Sequence, residues 1–348
     1  MSVRSRLAWL GIAVLLLVLA GASAALGFGH YLRSPAAPMQ LSLQVPAGAS
    51  LRSVLGRIAA AGALRRPQWL EWYVRLHEPP LRVQMGRYEF APASTPLAIL
   101  ERLRAGPELE QLTIIEGWNF DQMRASINAD ANLTHEFHLL SDAQLMAALG
   151  HPDERPEGRF FPDTYRFAAG TSERRIYELA YERMAQELNA AWSDRAKDLP
   201  ISTPAEALTL ASIVEKETGS DDERGKVAAV FVNRLRQGMR LQSDPTVIYG
   251  LAERYDGTVH KVDLLTDTPY NTYTRNGLPP TPVALPGAAA LRAALHPEPG
   301  DALYFVATGL GDGHHQFSAT LEQHNLAVNR YLQRIGVPTA KLSGLHNP

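Results

Sequence analysis

The first pattern along the chain is a run of apolar, uncharged residues at 7–28, preceded by Arg4 and Arg6. About 20 apolar residues cross the hydrocarbon core of a bilayer. The run therefore predicts a transmembrane helix at 7–28 after a cytoplasmic tip at 1–6. Arginines stay on the cytoplasmic side, which places the rest of the chain outside the cytoplasm. A cleaved signal peptide is the alternative, because "ASA" at 22–24 resembles a cleavage site, but signal-peptide apolar regions are shorter, about 7–15 residues.

Alternating and helical patterns then follow a Pro/Ala linker at 29–39. The alternation in "LSLQV" predicts a strand, and the apolar spacing in "LRSVLGRIAAAGAL" and "RPQWLEWYVRL" predicts two helices. "VQMGRYEFAP" predicts a second strand and "TPLAILERLRAG" a third helix. This β-α-α-β-α order predicts a small α+β module at 40–107.

The remaining chain has mostly helical patterns. After a strand at "LEQLTIIEG", two short helices are predicted in a connecting segment at 108–156, the second with Ser141 as its N-cap. "EGRFFPDTYRFAAG" is predicted as a loop and "SERRIYELAYERMAQELNAAW" as a long amphipathic helix. The next helix opens with a capping box of Thr203 and Glu206 around Pro204, and "DDERGKVAAVFVNRLRQGM" predicts the helix after it.

The last third of the chain includes a long stretch without clear periodicity, "RLQSDPTVIYG…TPYNTYTRNGLPPTPVALPG". A strand at "ALYFVAT" and a helix at "SATLEQHNLAVNRYLQRI" follow it. The predicted fold class is therefore α+β: an N-terminal transmembrane helix, a small α+β module and a mainly helical α+β domain at 157–336. Residues 337–348 are predicted to be a C-terminal tail.

Composition narrows the function classes. The chain has 34 Lys and Arg against 36 Asp and Glu, a formal charge of -2, which gives no support to nucleic-acid binding. It has no cysteine, which excludes disulfides, thiol catalysis and Cys-ligated zinc. No cofactor is predicted.

The candidate chemistry lies in "LTLASIVEKETG", an apolar helix that ends in Glu215, Lys216 and Glu217. Apolar residues occupy opposite faces of this helix, so it is predicted to be buried. Burial raises the pKa of a carboxyl group and yields a general acid that holds its proton near neutral pH. Periodicity does not choose between the two glutamates. The alternative is a solvated helix end at which both glutamates pair with Lys216, Arg224 or Lys226.

The aperiodic stretch adds a second signal. "RLQSDPTVIYG" and "TPYNTYTRNGLPPTP" concentrate aromatic, amide and hydroxyl side chains among Gly and Pro. Aromatic rings can face pyranose rings, while amides and hydroxyls can bond to sugar hydroxyls and acetamides. Ordinary connecting loops are the alternative.

Together these segments resemble the endolytic murein transglycosylases of the MltG (YceG-like) family. The matching stretches are "EGRFFPDTYRF", "LASIVEKETG", "VAAVFVNRLRQGMRLQSDPTVIYG", "PYNTY", "GLPPTP" with "LPG", "YFVA" and "HQFSATLEQHN", in family order over about 158–328. The resemblance extends to the anchor and to the module, which is similar to a LysM-like peptidoglycan-binding domain. It implies an inner-membrane protein with a periplasmic catalytic domain and with peptidoglycan glycan strands as substrate.

The resemblance also assigns roles. It places the catalytic acid/base at Glu215, which would cleave the β-1,4 bond from N-acetylmuramic acid to N-acetylglucosamine and leave a 1,6-anhydro end. A glycan-binding role is open for Glu217. The other candidate substrate-binding residues are Gln242, Ser243, Asp244, Tyr270, Asn271 and Tyr273. Nascent strands near the membrane are the expected substrate, with peptidoglycan synthases as candidate partners.

Three other functions are alternatives to this one. A hydrolytic muramidase would use water, with Asp244 as its second carboxylate. A non-catalytic peptidoglycan-binding scaffold would rely on the small module. A metal enzyme would use His314, His315 and His324, but the histidines lack the spacing of a ligand motif, so no metal is predicted.

Overall fold

The computed structural model describes residues 3–35 and 40–336, with side chains from Trp9 onward. The predicted tail and part of the predicted linker lie outside the described residues. The chain divides into two compact units. The first contains residues up to Gln111 with two short segments, Asn132–Thr134 and Arg166–Thr171, and the second contains the rest. The domain boundaries inferred from the sequence stay predictions.

The first unit begins with α1 (Val3–Arg33). In the described part of the chain, α1 is the one helix long and apolar enough to cross a membrane by length and composition. Its apolar side chains from Trp9 to Leu19 are largely exposed. Leu32, close to its end, is buried in the core of the unit.

The predicted β-α-α-β-α order of the first unit is confirmed. Its elements are β1 (Leu41–Val45), α2 (Leu51–Ala60), α3 (Pro67–His77), β2 (Gly86–Phe90) and α4 (Pro96–Ala105). The two strands pair antiparallel, with Leu41 opposite Phe90. Thr95 caps α4 by accepting a hydrogen bond from the Ala98 N–H at 3.1 Å. Ile58 of α2, Leu70 of α3 and Ile99 of α4 are fully buried in one core with residues of both strands.

Helices dominate the remaining elements. These are β3 (Leu109–Thr113), α5 (Phe120–Ala129), β4 (Leu133–Thr134), α6 (Asp142–Ala148), β5 (Thr164–Ala168), β6 (Thr171–Ser172), α7 (Glu173–Ser193), α8 (Pro204–Glu217), α9 (Arg224–Arg236), α10 (Asp244–Leu251), α11 (Lys261–Leu265), α12 (Ala288–Leu295), β7 (Tyr304–Ala307), β8 (His315–Ser318) and α13 (Leu321–Arg334). Among the described residues the strands form four two-stranded sheets, β1–β2, β3–β5, β4–β6 and β7–β8. The mixed α+β class is confirmed.

The prediction of a loop throughout "EGRFFPDTYRFAAG" is wrong in its second half, where β5 pairs with β3. Tyr165 and Phe167 are buried in β5 and alternate with exposed Thr164 and Arg166. This period-2 pattern is typical of a strand. The alternation is short, and Pro162, two residues before the strand, favours a loop interpretation of the whole stretch.

The core of the second unit surrounds α8. All residues from Ala207 to Val214 are buried, on every side of the helix, as the sequence predicts. The helix packs against α7, α9 and α12. Its capping box is confirmed: Thr203 Oγ1 accepts from the Glu206 N–H at 3.2 Å, and Glu206 Oε2 accepts from the Thr203 N–H at 3.1 Å. A buried, capped helix holds the residues at its far end in fixed positions.

Candidate active site

The candidate site lies where α8 leaves the core. Val214 is fully buried, whereas Glu215 and Glu217 are partly exposed and Lys216 is exposed. Thr218, the C-cap, is extended with φ -147° and ψ 133° and ends the helix. The two carboxyl groups therefore extend from a rigid helix end into two different surroundings.

Glu215 faces the loop before α12. Its Oε2 accepts a hydrogen bond from the Gly287 N–H at 2.9 Å. In the described part of the chain this is the one hydrogen bond to the carboxyl group, which leaves Oε1 without a partner. Burial raises the pKa of Glu215, the bond from Gly287 lowers it, and the nearby negative charge of Glu116 raises it further. The net shift is upward, as a general acid requires.

Glu116 is a second carboxyl group beside Glu215, and the sequence analysis did not find it. A β-carbon on Gly287 would lie only 1.8 Å from Glu116 Oε1. The Glu116 carboxyl group and Glu215 Oε2 thus share contact with one glycine. Glu116 lies 99 residues before Glu215, so no helical spacing connects the two. The available signal was a Glu-Gly pair at the end of a predicted strand, in "TIIEGW".

Two loops are bonded to each other at this point. The Gly117 N–H donates to the Leu285 carbonyl at 2.9 Å, and the Leu285 N–H donates to the Trp118 carbonyl at 2.6 Å. Lys216 adds a bond from its Nζ to the Gly117 carbonyl at 3.2 Å. These bonds hold Glu116 and Gly287 beside the end of α8.

Glu217 belongs to a polar network on the other side of the helix end. Ser243 Oγ donates to Glu217 Oε1 at 2.6 Å. Tyr273 donates its hydroxyl to Asp244 Oδ1 at 2.6 Å. Burial raises the pKa of Glu217 to about 7, and the Asp244 charge adds to this, while the bond from Ser243 and the His315 and Arg234 charges oppose it. Glu217, Ser243, Asp244 and Tyr273 are therefore brought together.

Gln242 begins this network with an unusual backbone. Its φ is +53°, a left-handed conformation that is uncommon for residues other than glycine. Its N–H donates to the Thr272 carbonyl at 3.2 Å, and its Oε1 accepts from Arg234 Nη1 at 3.3 Å. The buried Arg234 also donates to the Leu241 and Leu303 carbonyls at 2.8 and 2.7 Å. Arg234 thus fixes the loop that leads into α10.

Tyr270 and Asn271 lie further along the same loop region. Asn271 is buried, and its amide donates to the Asp263, Leu264 and Thr266 carbonyls at 3.1, 3.1 and 2.7 Å. The hydroxyl of the partly buried Tyr270 bonds to Thr281 at 2.8 Å. The Asn271 side chain therefore fixes the backbone of residues 263–266, while Tyr270 keeps part of its surface exposed. Their roles as glycan ligands stay predictions.

The histidines near the C-terminus form a different arrangement. Glu223, the buried N-cap of α9, accepts from the His315 N–H at 3.0 Å and lies 2.8 Å from His315 Nδ1. His314 Nδ1 lies 3.3 Å from the same carboxyl group. Burial would raise the pKa of Glu223, but its bonds with His315 and the two histidine charges lower it overall. Among the described residues no three His, Asp or Glu side chains are grouped as a metal site.

Comparison with known proteins places the chain in a class of peptidoglycan-processing proteins. The family model described as the YceG-like family matches residues 43–330. The chain belongs to this YceG-like family, and the predicted family is confirmed. It is 29% identical over 310 residues to an endolytic murein transglycosylase of Bacillus subtilis strain 168, covering 84% of this chain and 85% of that protein.

Two further relatives are similar over most of the chain. An endolytic murein transglycosylase of Streptococcus pneumoniae serotype 2 is 26% identical over 326 residues, which cover 84% of this chain and 58% of that protein. The crystal structure of a YceG-like protein from Listeria monocytogenes is 30% identical, with a TM-score of 0.50, and the match covers 83% of this chain and 99% of that one.

Proposed function

We propose that this chain is a membrane-anchored endolytic lytic transglycosylase of peptidoglycan. It cleaves the β-1,4 bond between N-acetylmuramic acid and N-acetylglucosamine and leaves 1,6-anhydro ends. The curated relatives, which align over 84% of the chain, support this reaction. The structural observation that carries it is Glu215: a carboxyl group with a raised pKa and a free oxygen, at the end of a buried helix.

One carboxyl group serves both proton transfers. As the acid, Glu215 protonates the oxygen that leaves C1 of the muramoyl residue. As the resulting carboxylate, it takes the proton of the muramoyl C6 hydroxyl, which attacks C1 and closes the 1,6-anhydro ring. The proton is thus returned and the C1–O4 bond is replaced by C1–O6. Because the nucleophile is internal, the second carboxyl group that most glycosidases need is dispensable.

The bond from Gly287 suits this double role. It holds Oε2 at 2.9 Å from a backbone N–H, so Oε1 is the oxygen available for proton transfer. Burial, and after it the nearby Glu116 charge, raise the pKa of Glu215, which favours the protonated acid that the first step needs. We assign Glu116 as a positioning residue, because it acts through the pKa of Glu215.

The proposed glycan-binding residues fall into two groups. Gln242 and Asp244 are exposed, and Tyr270 and Tyr273 are partly exposed, so they can contact a sugar. Ser243 and Asn271 are buried and bonded within the protein, and Glu217 is bonded to Ser243. These last three residues support the loop on which the first four stand.

α1 anchors the chain in the cytoplasmic membrane with its N-terminus inside, and its length and apolar composition support this. The module at 40–107 is LysM-like, which its element order supports, and the segment at 108–156 connects it to a periplasmic catalytic domain at 157–336. Nascent glycan strands are the substrate, peptidoglycan synthases are candidate partners, and no cofactor is required.

Mass spectrometry of digested glycan strands tests the reaction. The full chain in detergent is incubated with purified strands, beside the Glu215→Gln variant and a Glu217→Gln control. Anhydromuramoyl ends from the wild type and the control, but not from Glu215→Gln, are expected. Reducing ends would instead indicate a hydrolytic muramidase, with Asp244 as the candidate second carboxylate. Strands that are bound but intact would indicate a non-catalytic scaffold.

A further inference from the structure

The end of α1 is part of the folded core of the first unit. The ring of Phe28 lies 6.0 Å from that of Trp69, and Tyr31 lies 5.2 Å from Trp69, between ring centroids. The Tyr31 hydroxyl donates to the Arg66 carbonyl at 3.0 Å, and Leu32 is buried. The last turns of α1 therefore pack directly against α3 and the core of the first unit.

This packing fixes where the unit meets a bilayer. Residues 7–28 of a helix rise about 33 Å at 1.5 Å each, close to the thickness of a hydrocarbon core. If α1 spans the membrane, as the proposed function holds, Phe28 lies at the outer boundary of that core. Trp69, which contacts Phe28, then lies at the same depth.

α3 presents an apolar face beside this point. Leu70 and Val74 are buried on its inner side, while Trp72 is 65% exposed and Leu76 is 73% exposed. Trp69 and Tyr73, which flank Phe28, complete the row of positions i, i+3, i+4 and i+7 along one side of the helix. Tryptophan and tyrosine are enriched at membrane–water interfaces. An exposed apolar row on a helix is typical of a segment that lies in the interface plane.

A basic cavity of about 680 Å³ adjoins this face. It is lined by the last turns of α1, including His30 and Tyr31, and by Arg65, Arg66 and Trp69. Among the described residues, no carboxylate lines it. The acidic residues of α3 and its C-cap are already paired with other arginines: Glu71 with Arg52 and Arg75, and Glu78 with Arg104.

Arg66 is held at the cavity in a defined conformation. Its guanidinium lies 4.5 Å from the ring centroid of Trp69, and its backbone φ of +51° is left-handed. Such a conformation is costly for a residue with a side chain and persists only where the surroundings hold it. The bond from Tyr31 and the contact with Trp69 do so here. Arg65 and Arg66 form no ion pair with any described residue.

We propose that the cavity and the Trp72–Leu76 side of α3 together form a lipid site that binds the phosphate headgroup of an anionic phospholipid in the outer leaflet. Arg65 and Arg66 supply the positive charge, Trp69 and Phe28 contact the upper acyl chain, and Trp72 and Leu76 insert beside it. The proposal rests on the anchoring of α1. Its consequence is that the first unit is fixed against the membrane surface.

Tryptophan quenching by brominated phospholipids tests the insertion. The full chain is reconstituted in phosphatidylcholine vesicles, and the quenched emission is compared among wild type, Trp9→Phe and Trp72→Phe. Both substitutions are at exposed positions, so the fold should tolerate them. Each variant should lose a quenchable component, and that of Trp72 should respond most to bromines near the headgroup. If only Trp9→Phe removed a quenchable component of the emission, the lipid site would be overturned and the anchor would stand. No quenching of Trp9 would refute the anchor, and the lipid site with it.

The preference for an anionic headgroup tests whether Arg65 and Arg66 bind the phosphate. At a low mole fraction, brominated phosphatidylglycerol should quench Trp72 at least about fivefold more than brominated phosphatidylcholine, since each of the two arginines near the surface contributes about a factor of five. The Arg65→Gln, Arg66→Gln double variant should lose this preference. The control is Arg57→Gln, Arg82→Gln, which removes the same charge at two exposed arginines outside the cavity. Equal quenching by both lipids, or equal loss in the control, would overturn the phosphate assignment.

Discussion

The two glutamates at the end of α8 are two residues apart, and both have a raised pKa, yet their surroundings differ in kind. Glu215 receives one backbone hydrogen bond and lies beside another carboxyl group. Glu217 lies deeper and receives a short side-chain bond from Ser243 within a bonded network. A raised pKa alone therefore does not identify an acid/base. The useful distinction is an oxygen that remains free to exchange a proton.

The largest effect is expected from Glu215→Gln. An amide keeps the size of the side chain and can accept the Gly287 bond, but it cannot transfer a proton. General acid–base catalysis contributes about 10²- to 10⁴-fold, so kcat/KM should fall by about a thousandfold or more. Initial rates of anhydro-end formation measure this, with thermal unfolding as the control for fold. A variant with wild-type rates would remove Glu215 from the mechanism.

Glu217→Gln should separate stability from catalysis. The pKa of Glu217 is about 7 in the fold against 4.5 for the unfolded side chain, so the folded state binds more protons between these values. The contribution of Glu217 to the free energy of unfolding is fully present below about pH 4.5. It is lost as the pH rises through about 7, and the total loss is up to about 3 kcal/mol. The variant should therefore lose stability less steeply over this range, while its activity falls by less than about tenfold.

Thermal midpoints between pH 4.5 and 8 measure this slope. Glu157→Gln provides a matched comparison, because burial also raises the pKa of Glu157 to about 7, and Glu157 accepts from the Phe120 N–H at 3.2 Å. In both variants the thermal midpoint should depend less steeply on pH than in the wild type. If Glu217→Gln abolished activity as fully as Glu215→Gln, the distinction between the two glutamates would fail.

Much of this site could be predicted from local sequence patterns. The burial of α8 follows from apolar residues on all its sides, and its start follows from Thr203 and Glu206, because both features depend on neighbouring residues only. Of the predicted loop residues, the structure brings Ser243, Asp244 and Tyr273 together with Glu217. That grouping depended on the family resemblance, not on periodicity.

The rest depends on contacts between distant segments. Glu116 meets Glu215 only because the loop after β3 is bonded to the loop before α12, and no pattern in either loop specifies this. α11 was missed because it has only five residues. α10 has eight, but it lacks the side-chain cap that marks the start of the seven-residue α6 at Ser141. The buried role of Asn271 was also hidden, because its three acceptors are backbone carbonyls of a neighbouring turn.

Glu116→Gln should change the pH dependence more than the rate. Removing this charge removes one cause of the raised pKa of Glu215. The pKa should fall, so Glu215 should lose its proton at lower pH and the alkaline limb of kcat/KM should move to lower pH. Activity at the optimum should fall by less than about tenfold. Glu110→Gln, which removes a carboxylate paired to Arg87 in the first unit, is the control. An unmoved alkaline limb would exclude Glu116 as a positioning residue.

The smallest effect is expected from Gly287→Ala. This substitution changes the contact between Gly287 and the Glu116 carboxyl group at the glycine. The φ of Gly287 is -81°, which alanine adopts readily, and the N–H that holds Glu215 is retained. The new β-carbon would lie 1.8 Å from Glu116 Oε1, so the exposed Glu116 side chain must move away. The alkaline limb should shift in the same direction as in Glu116→Gln, but less. Since both changes act through one contact, the double variant should match Glu116→Gln alone. Additive shifts would mean that Gly287 acts on Glu215 by another route.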